Sequence, residues 1–313
     1  MNIPDRNAGL AAAQAQVLGF DKRTGIDSQV YGAPGAHIFY VDPNNSQAVD
    51  FGNLGRDPTV PLATGAAAVA LCRDHMGDTI VFGANDAWQY APPNRGTAIV
   101  ETLVIPQTKG GIRLVGQATT PMGLSWHPVA NNDTAITVNA IDVLIEGFLF
   151  TTSGTTGNSG ITCAWNAPPY GENLIVRNCM FYDLDDYGIA LDYSWYAHIY
   201  NNYFDTIATA AIINLAVEGD PDYAHIHDNI FYNCALAVSF PGVDHCSVYR
   251  NMINGTPGGA DNFIDFTGSS GNFVADNWLS CTIAQYDTTC SDATSGAWVH
   301  NHCTDGAPVA PPT

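Results

Sequence analysis

Apolar residues along this chain fall into short groups that share one internal pattern. An apolar anchor is followed by an outward residue, then by Asn, Asp, Arg or Gly, often by Asn, and then by an apolar pair. Eight segments fit: Leu114-Val-Gly-Gln, Ile145-Glu-Gly-Phe-Leu-Phe150, Val176-Arg-Asn-Cys-Met-Phe181, Ile199-Tyr-Asn-Asn-Tyr-Phe204, Ile226-His-Asp-Asn-Ile-Phe231, Val248-Tyr-Arg-Asn-Met-Ile253, Val274-Ala-Asp-Asn-Trp-Leu279 and Val299-His-Asn-His-Cys-Thr304. Their anchors lie 31, 31, 23, 27, 22, 26 and 25 residues apart. A period in this range marks a solenoid. The groups are short and β-branched and lack helical spacing, so the unit is made of strands. A further strand follows at Gly188-Ile-Ala-Leu191, Ala211-Ile-Ile213, Ala237-Val238 and Phe263-Ile264. The fold expected is all-β, a single parallel β-helix of at least eight coils. Eight coils make a rod of roughly 40 Å.

Asn202, Asn229, Asn251 and Asn277 occupy one position of the pattern. Asn tolerates a left-handed bend, and its amide can bond the same amide one coil away. A stacked amide ladder accounts for this regularity without any catalytic role. The ends of the chain differ. Residues 1–36 read as an N-terminal arm with a short helix from Leu10 to Leu18, capped by Asp5. Residues 37–303 form the β-helix, and residues 304–313 a Pro-rich tail with no regular structure expected.

The opening of the helical region reads Ile38-Phe-Tyr-Val-Asp42, then Gly52 and Gly55, then Asp57-Pro-Thr-Val-Pro61, Ala66-Ala-Ala-Val-Ala70 and Gly77-Asp-Thr-Ile-Val81. This resembles the first segment of the pectate-lyase-like superfamily of right-handed parallel β-helices. With the Asn-bend coils, the resemblance covers roughly residues 37–303. It implies a right-handed helix. It leaves the function open, because that fold hosts lyases, hydrolases, epimerases, viral tailspikes and non-catalytic structural proteins.

Composition narrows the choice. The formal net charge is −20, with Lys only at positions 22 and 109. A phosphate backbone needs a basic stripe, so no nucleic-acid partner is expected. No long apolar run suggests membrane insertion or a leader. The eight cysteines lack CxxC pairs and sit mostly in apolar patterns, as small core residues do. Cys281 and Cys290 flank a loop and could pair in an oxidising compartment.

Candidate chemistry concentrates in residues 183–222. The carboxylates Asp183, Asp185, Asp186, Asp192 and Asp205 lie there, followed by Glu218, Asp220 and Asp222. Tyr187, Tyr193, Trp195, Tyr196 and Tyr200 interleave with them. Sugar sites combine aromatic platforms with paired carboxylates, so these residues are the candidates for glycan binding and for hydrolysis or lysis of a polysaccharide. An acidic loop set on an acidic protein is the plainer explanation of the same residues. Leu144, Ile175, His198, His225, Phe273 and Trp298 each precede an anchor and form an outward stripe, the candidate interface. His227 and His300 share the position after the anchor. Stacked histidines could bind a metal, but no carboxylate or Cys completes the set, so neither metal nor cofactor is expected. Arg250 and Asp228 share a position in consecutive coils and read as a turn ion pair.

Two functions follow as expectations. One is a bacteriophage virion protein, such as a capsid decoration, head fibre or tailspike. It would be a homotrimer, held to other virion proteins by its arm and able to touch host-surface polysaccharide. The other is a secreted polysaccharide-degrading enzyme using the carboxylates of coils 183–222.

Overall fold

The computed structural model describes residues 35–83, 98–117, 124–152, 156–163, 172–192, 194–215, 221–255, 262–281, 290–292 and 296–304, with short strands at 20–21, 26–27 and 308–309. The chain winds into a parallel β-solenoid of three sheets, with ten, ten and eight strands. Each coil runs through sheet 1, sheet 2 and sheet 3 in turn, and apart from the antiparallel Pro308–Val309 the strands of these sheets pair in parallel from coil to coil. One coil, for example, comprises His198–Tyr200, Tyr203–Ile207 and Ala210–Asn214. The Asn bend thus splits each repeated segment into two strands on different sheets. The further strand of the sequence pattern is the third side.

About six turns, from Arg113 to Phe266, carry a strand of three residues or more in all three sheets. This is slightly fewer than the eight coils expected, the shortfall lying at the C-terminal end, where the sheet 2 strand shortens to Trp278–Leu279. End coils have a stacking partner on one side only, so less burial supports them.

The interior is a column of inward side chains. Ile145, Val176, Ile199, Ile226, Val248 and Val274 stack in register on sheet 1. Trp126, Phe150, Phe181, Phe204 and Phe231 do so on sheet 2. Ring centroids are 5.0 Å apart for Phe150–Phe181, 4.7 Å for Phe181–Phe204 and 4.9 Å for Phe204–Phe231. This aromatic column dictates a glycine opposite it. A Cβ on Gly188 would meet the Ala211 carbonyl oxygen at 2.6 Å and the Phe204 ring at 2.9 Å.

Beside the column runs the amide ladder. Asn202, Asn229, Asn251, Asn277 and Asn301 are all buried. Each side-chain amide donates to the next Asn oxygen, at 3.1, 3.1, 3.0 and 2.9 Å in order. Each oxygen also accepts a backbone N–H from the coil before, as Asn229 Oδ1 does from Asn202 at 3.0 Å. The amide also reaches back to an anchor carbonyl, such as that of Ile199 at 2.9 Å from Asn229. Every ladder residue therefore satisfies backbone groups freed at the bend, which would be costly to bury unpaired.

The N-terminal end is closed by a different device. Helix α1 (Gly65–Leu71) is capped by Thr64, whose hydroxyl accepts from the Ala67 N–H. Glu101 accepts from the Gly65 and Ala66 N–H groups at 2.8 and 2.7 Å. Asp78 is fully buried and accepts from Arg73 and from the His37 backbone. Burial pushes its carboxyl up, but the Arg73 and backbone hydrogen bonds outweigh this and leave it below the ordinary value. The Gly-Asp-Thr-Ile motif is thus a structural clamp.

Three expectations need correction. The last coil is displaced by one residue: Trp298, not Val299, pairs with Val274 as the inward anchor. Trp298 is 3% exposed and belongs to the core, so it is no part of an outward stripe. A one-residue slip exchanges the two faces of a strand. The tail also gains regular structure. Pro308–Val309 pairs antiparallel with Asn301 and His302, covering the end of sheet 2. No sulfur–sulfur bond joins the cysteines in this structure, so the pairing of Cys281 with Cys290 is not made. The helix expected at 10–18 lies outside the described residues.

Replacing Asn229 by Leu should lower unfolding stability by ~1–3 kcal/mol, because it strands two donors and two acceptors inside the stack. Denaturant titration of the variant checks this; an unchanged midpoint would remove the ladder's role.

Candidate functional site

The sequence neighbours of residues 183–222 do not stay together in space. A stretch of about ten residues carries the chain from one side of the coil to another. Asp183 lies on sheet 2, and Asp185 and Asp186 on the turn that leaves it. Asp185 accepts from the Gly157 N–H at 3.0 Å, and Asp186 from the Ser159 hydroxyl at 3.4 Å. These contacts join successive coils. Tyr187 starts a sheet 3 strand and hydrogen-bonds Thr162 at 3.1 Å. Asp192 follows that strand. Asp205 faces outward on sheet 2, in register between Tyr182 and Tyr232. Asp222 accepts from the Asp244 N–H at 3.1 Å. Tyr193, Glu218 and Asp220 lie outside the described residues. Asp183, Asp185, Asp186 and Asp205 therefore lie on sheet 2 and the turn leaving it, and Asp192 at the end of sheet 3, while Trp195, Tyr196 and Tyr200 belong to the sheet 1 side, where only Asp222 joins them, beside Tyr223.

That third side holds three ladders next to one another. The first lies on the turn entering sheet 1. Tyr196 stacks on Tyr223 at 5.2 Å, and Tyr223 stacks on His245 at 5.2 Å. The second is the outward position before the anchor, where His198 faces His225 at 4.8 Å. The third is the outward position after the anchor. Tyr200 stacks on His227 at 5.0 Å, and His227 on Tyr249 at 4.8 Å. Glu146 and Arg177 continue this row in the earlier coils as an ion pair, with Arg177 donating to the Tyr200 hydroxyl at 3.0 Å. At the far rim Asp228 accepts two hydrogen bonds from Arg250, at 2.8 and 2.6 Å. The Arg250 hydrogen bonds hold the Asp228 carboxyl down to about 2. The guanidinium lies 4.8 Å from the Tyr249 ring centroid. The turn ion pair expected from sequence is therefore present.

The backbone under the first ladder is unusual. Tyr196, Tyr223 and His245 have φ of 60°, 61° and 59°. The equivalent turn residues of other coils are Gly77, Gly111, Asp142, Asn173 and Gly271. Gly, Asn, Asp and His suit this left-handed region, whereas a tyrosine there is strained. Tyr196 and Tyr223 are also exposed.

Of the stripe expected before the anchors, Leu144, Ile175, His198, His225 and Phe273 do align on sheet 1. Leu144 is buried, however, and Ser247 interrupts the row. His300 does not join His227, because the slip in the last coil puts it on the turn.

A second outward row, largely apolar, runs along sheet 2. Met180, Tyr203, Ile230, Met252, Trp278 and His302 align outward on sheet 2. Ile230, Met252 and Trp278 are 41%, 49% and 46% exposed. The signal was in the repeat: Met180 follows Cys179, and each of the others directly follows a ladder asparagine. Similarly, Tyr223 and His245 sit two residues before a sheet 1 strand, as Tyr196 does.

Among the described residues no group of three His, Cys, Asp or Glu side chains is arranged to hold a metal ion, and no helix is long and apolar enough to cross a membrane. No family model and no curated protein matches the chain. Two crystal structures of the GH136 lacto-N-biosidase from Eubacterium ramulus overlap it. The native protein gives a TM-score of 0.36 at 9% identity, and the selenomethionine derivative 0.34 at 10%. Each overlap covers 85% of this chain and 68% of the other. Overlap at that level says nothing about the chemistry of this chain. The class defined by the coordinates is the parallel β-helix, here with a ladder-bearing face.

Burial, and then the neighbouring imidazoles, hold His198 below the ordinary histidine value of 6.5. Burial and His227 do the same for His225. The unfolded chain therefore takes up protons on these groups before the folded one does. Their contribution to stability is present above 6.5 and is lost as pH falls from there through the lowered folded values. Denaturant midpoints measured from about pH 8 to about pH 5 should fall in the acid range. The double variant His198→Gln, His225→Gln should show a shallower fall; an identical pH profile would contradict this account.

Proposed function

We propose that the chain is a non-catalytic structural rod that binds a neutral glycan along the ladder face of sheet 1, in the manner of a virion attachment protein. The observation that carries this reading is the exposed, stacked pair Tyr196 and Tyr223, two bulky residues held in the left-handed region and continued by His245. Folding is served better by Gly, Asn or Asp at those positions, as the other coils show. Residues that cost stability and remain exposed point to a contact with something outside the chain.

The stacking geometry suggests what that contact is. Stacked rings cover each other's faces and leave their rims outward. The rims carry tyrosine hydroxyls and imidazole nitrogens, which both donate and accept hydrogen bonds. They repeat at the coil spacing, 4.8–5.2 Å, close to the length of one sugar ring. A linear glycan laid along the axis would meet one set of such groups per residue. The net charge of −20 disfavours an anionic polymer. A hydrolase or lyase is the weaker reading, since Asp183, Asp185, Asp186 and Asp205 lie on sheet 2 and the turn leaving it, away from this face, and Asp185 and Asp186 join successive coils.

Glycan arrays and calorimetry test the proposal. The wild type should bind a neutral polysaccharide, and Tyr196→Ala with Tyr223→Ala should weaken binding at least about tenfold while folding normally. Equal binding by the variant, or release of new reducing ends by the wild type, would defeat it.

A second observation favours lateral assembly as a companion role. The outward positions of sheet 2 from Met180 to Trp278 contain two charged residues, Asp183 and Asp205. On so acidic a protein, this is where another copy can approach with least repulsion and most apolar burial. Light scattering after gel filtration should find an oligomer. Met252→Glu with Trp278→Glu should give a folded monomer; a wild type that is monomeric at high concentration would exclude self-association through this face.

A further inference from the structure

The sulfur atoms of Cys281 and Cys303 lie 3.3 Å apart, both fully buried. We infer that these two residues form a disulfide, the one covalent tie of the terminal coil. A disulfide needs about 2.05 Å between sulfurs, so the atoms must approach by roughly a further 1.3 Å, a distance small side-chain rotations supply.

The position gives the bond a purpose. Cys303 pairs with Leu279 on the last parallel strand of sheet 2. Among the described residues beyond it, Pro308–Val309 returns antiparallel along the same strand. A solenoid is stabilised by its neighbours, so the final coil is the first to open. The two cysteines are 22 residues apart in sequence, and the Thr304 N–H and hydroxyl both donate to the Cys281 carbonyl at 3.0 Å. The strands are thus already aligned, and a crosslink would close the loop between them at little cost in native geometry. Closing a loop of this size removes conformational freedom from the opened state.

The oxidant required is a low-molecular-weight disulfide such as oxidised glutathione. During an opening of the last coil, one thiol loses its proton and its sulfur displaces one glutathione thiolate, giving a mixed disulfide. The second cysteine, likewise deprotonated, then displaces the other glutathione thiolate. Two protein S–H bonds and one glutathione S–S bond break. One protein S–S bond forms, and two glutathione thiols carry away the protons and electrons.

The test uses the full chain, equilibrated with oxidised and reduced glutathione and then denatured. Thiol counting should find six of the eight cysteines still reactive, and non-reducing peptide mapping should join Cys281 to Cys303. Cys290→Ser should leave that product unchanged, whereas Cys303→Ser should abolish it. Hydrogen exchange of residues 297–303 should slow on oxidation. Eight reactive thiols, or a bond from Cys290 to either partner, would overturn the inference.

Discussion

Each bend after sheet 1 leaves backbone groups that must be paired inside the molecule, and the asparagine ladder pairs them. Asn202, Asn229, Asn251, Asn277 and Asn301 each bond backward and forward, so the position of one coil fixes that of the next. Once this register is set, the anchors stack, the phenylalanine rings meet face to face, and the three sheets extend by repetition. In the earlier coils the ladder gives way to Cys179, whose N–H still donates to Asn202 Oδ1. The ladder therefore begins where an apolar residue hands over to amides, and it ends at the last coil.

Strict stacking has a consequence for the surface. Whatever stands outward at one pattern position is repeated about 5 Å away, so any chemical property becomes a row. Rows of tyrosine and histidine give a hydrogen-bonding face on sheet 1. Rows of isoleucine, methionine and tryptophan give an apolar one on sheet 2. Two faces of different character on one rod suit a protein that holds other copies with one side and an extended ligand with another.

The terminal structures solve the problem that stacking leaves at its ends. The N-terminal end uses polar clamps, Asp78 with Arg73 and Glu101 with the start of α1. The C-terminal end uses an antiparallel return and brings two thiols together. Neither device repeats, which is why the periodic pattern could not show it.

The sequence by itself determined the solenoid, the inward anchors, the shared place of four asparagines and the Asp228–Arg250 pair. These depend on spacing within the repeat, and the same spacing recurs from coil to coil. It misplaced the last coil, where Val299 and Trp298 are both apolar and only pairing with Val274 decides which faces in. It also grouped Asp183, Asp185 and Asp186 with Trp195, Tyr196 and Tyr200, since they are close along the chain. Tertiary structure decided otherwise, because a coil spends its few dozen residues going round three sides. Neighbours in space are residues one whole coil apart, so the contact of Tyr196 with Tyr223, or of Cys281 with Cys303, exists only once the register between coils is fixed.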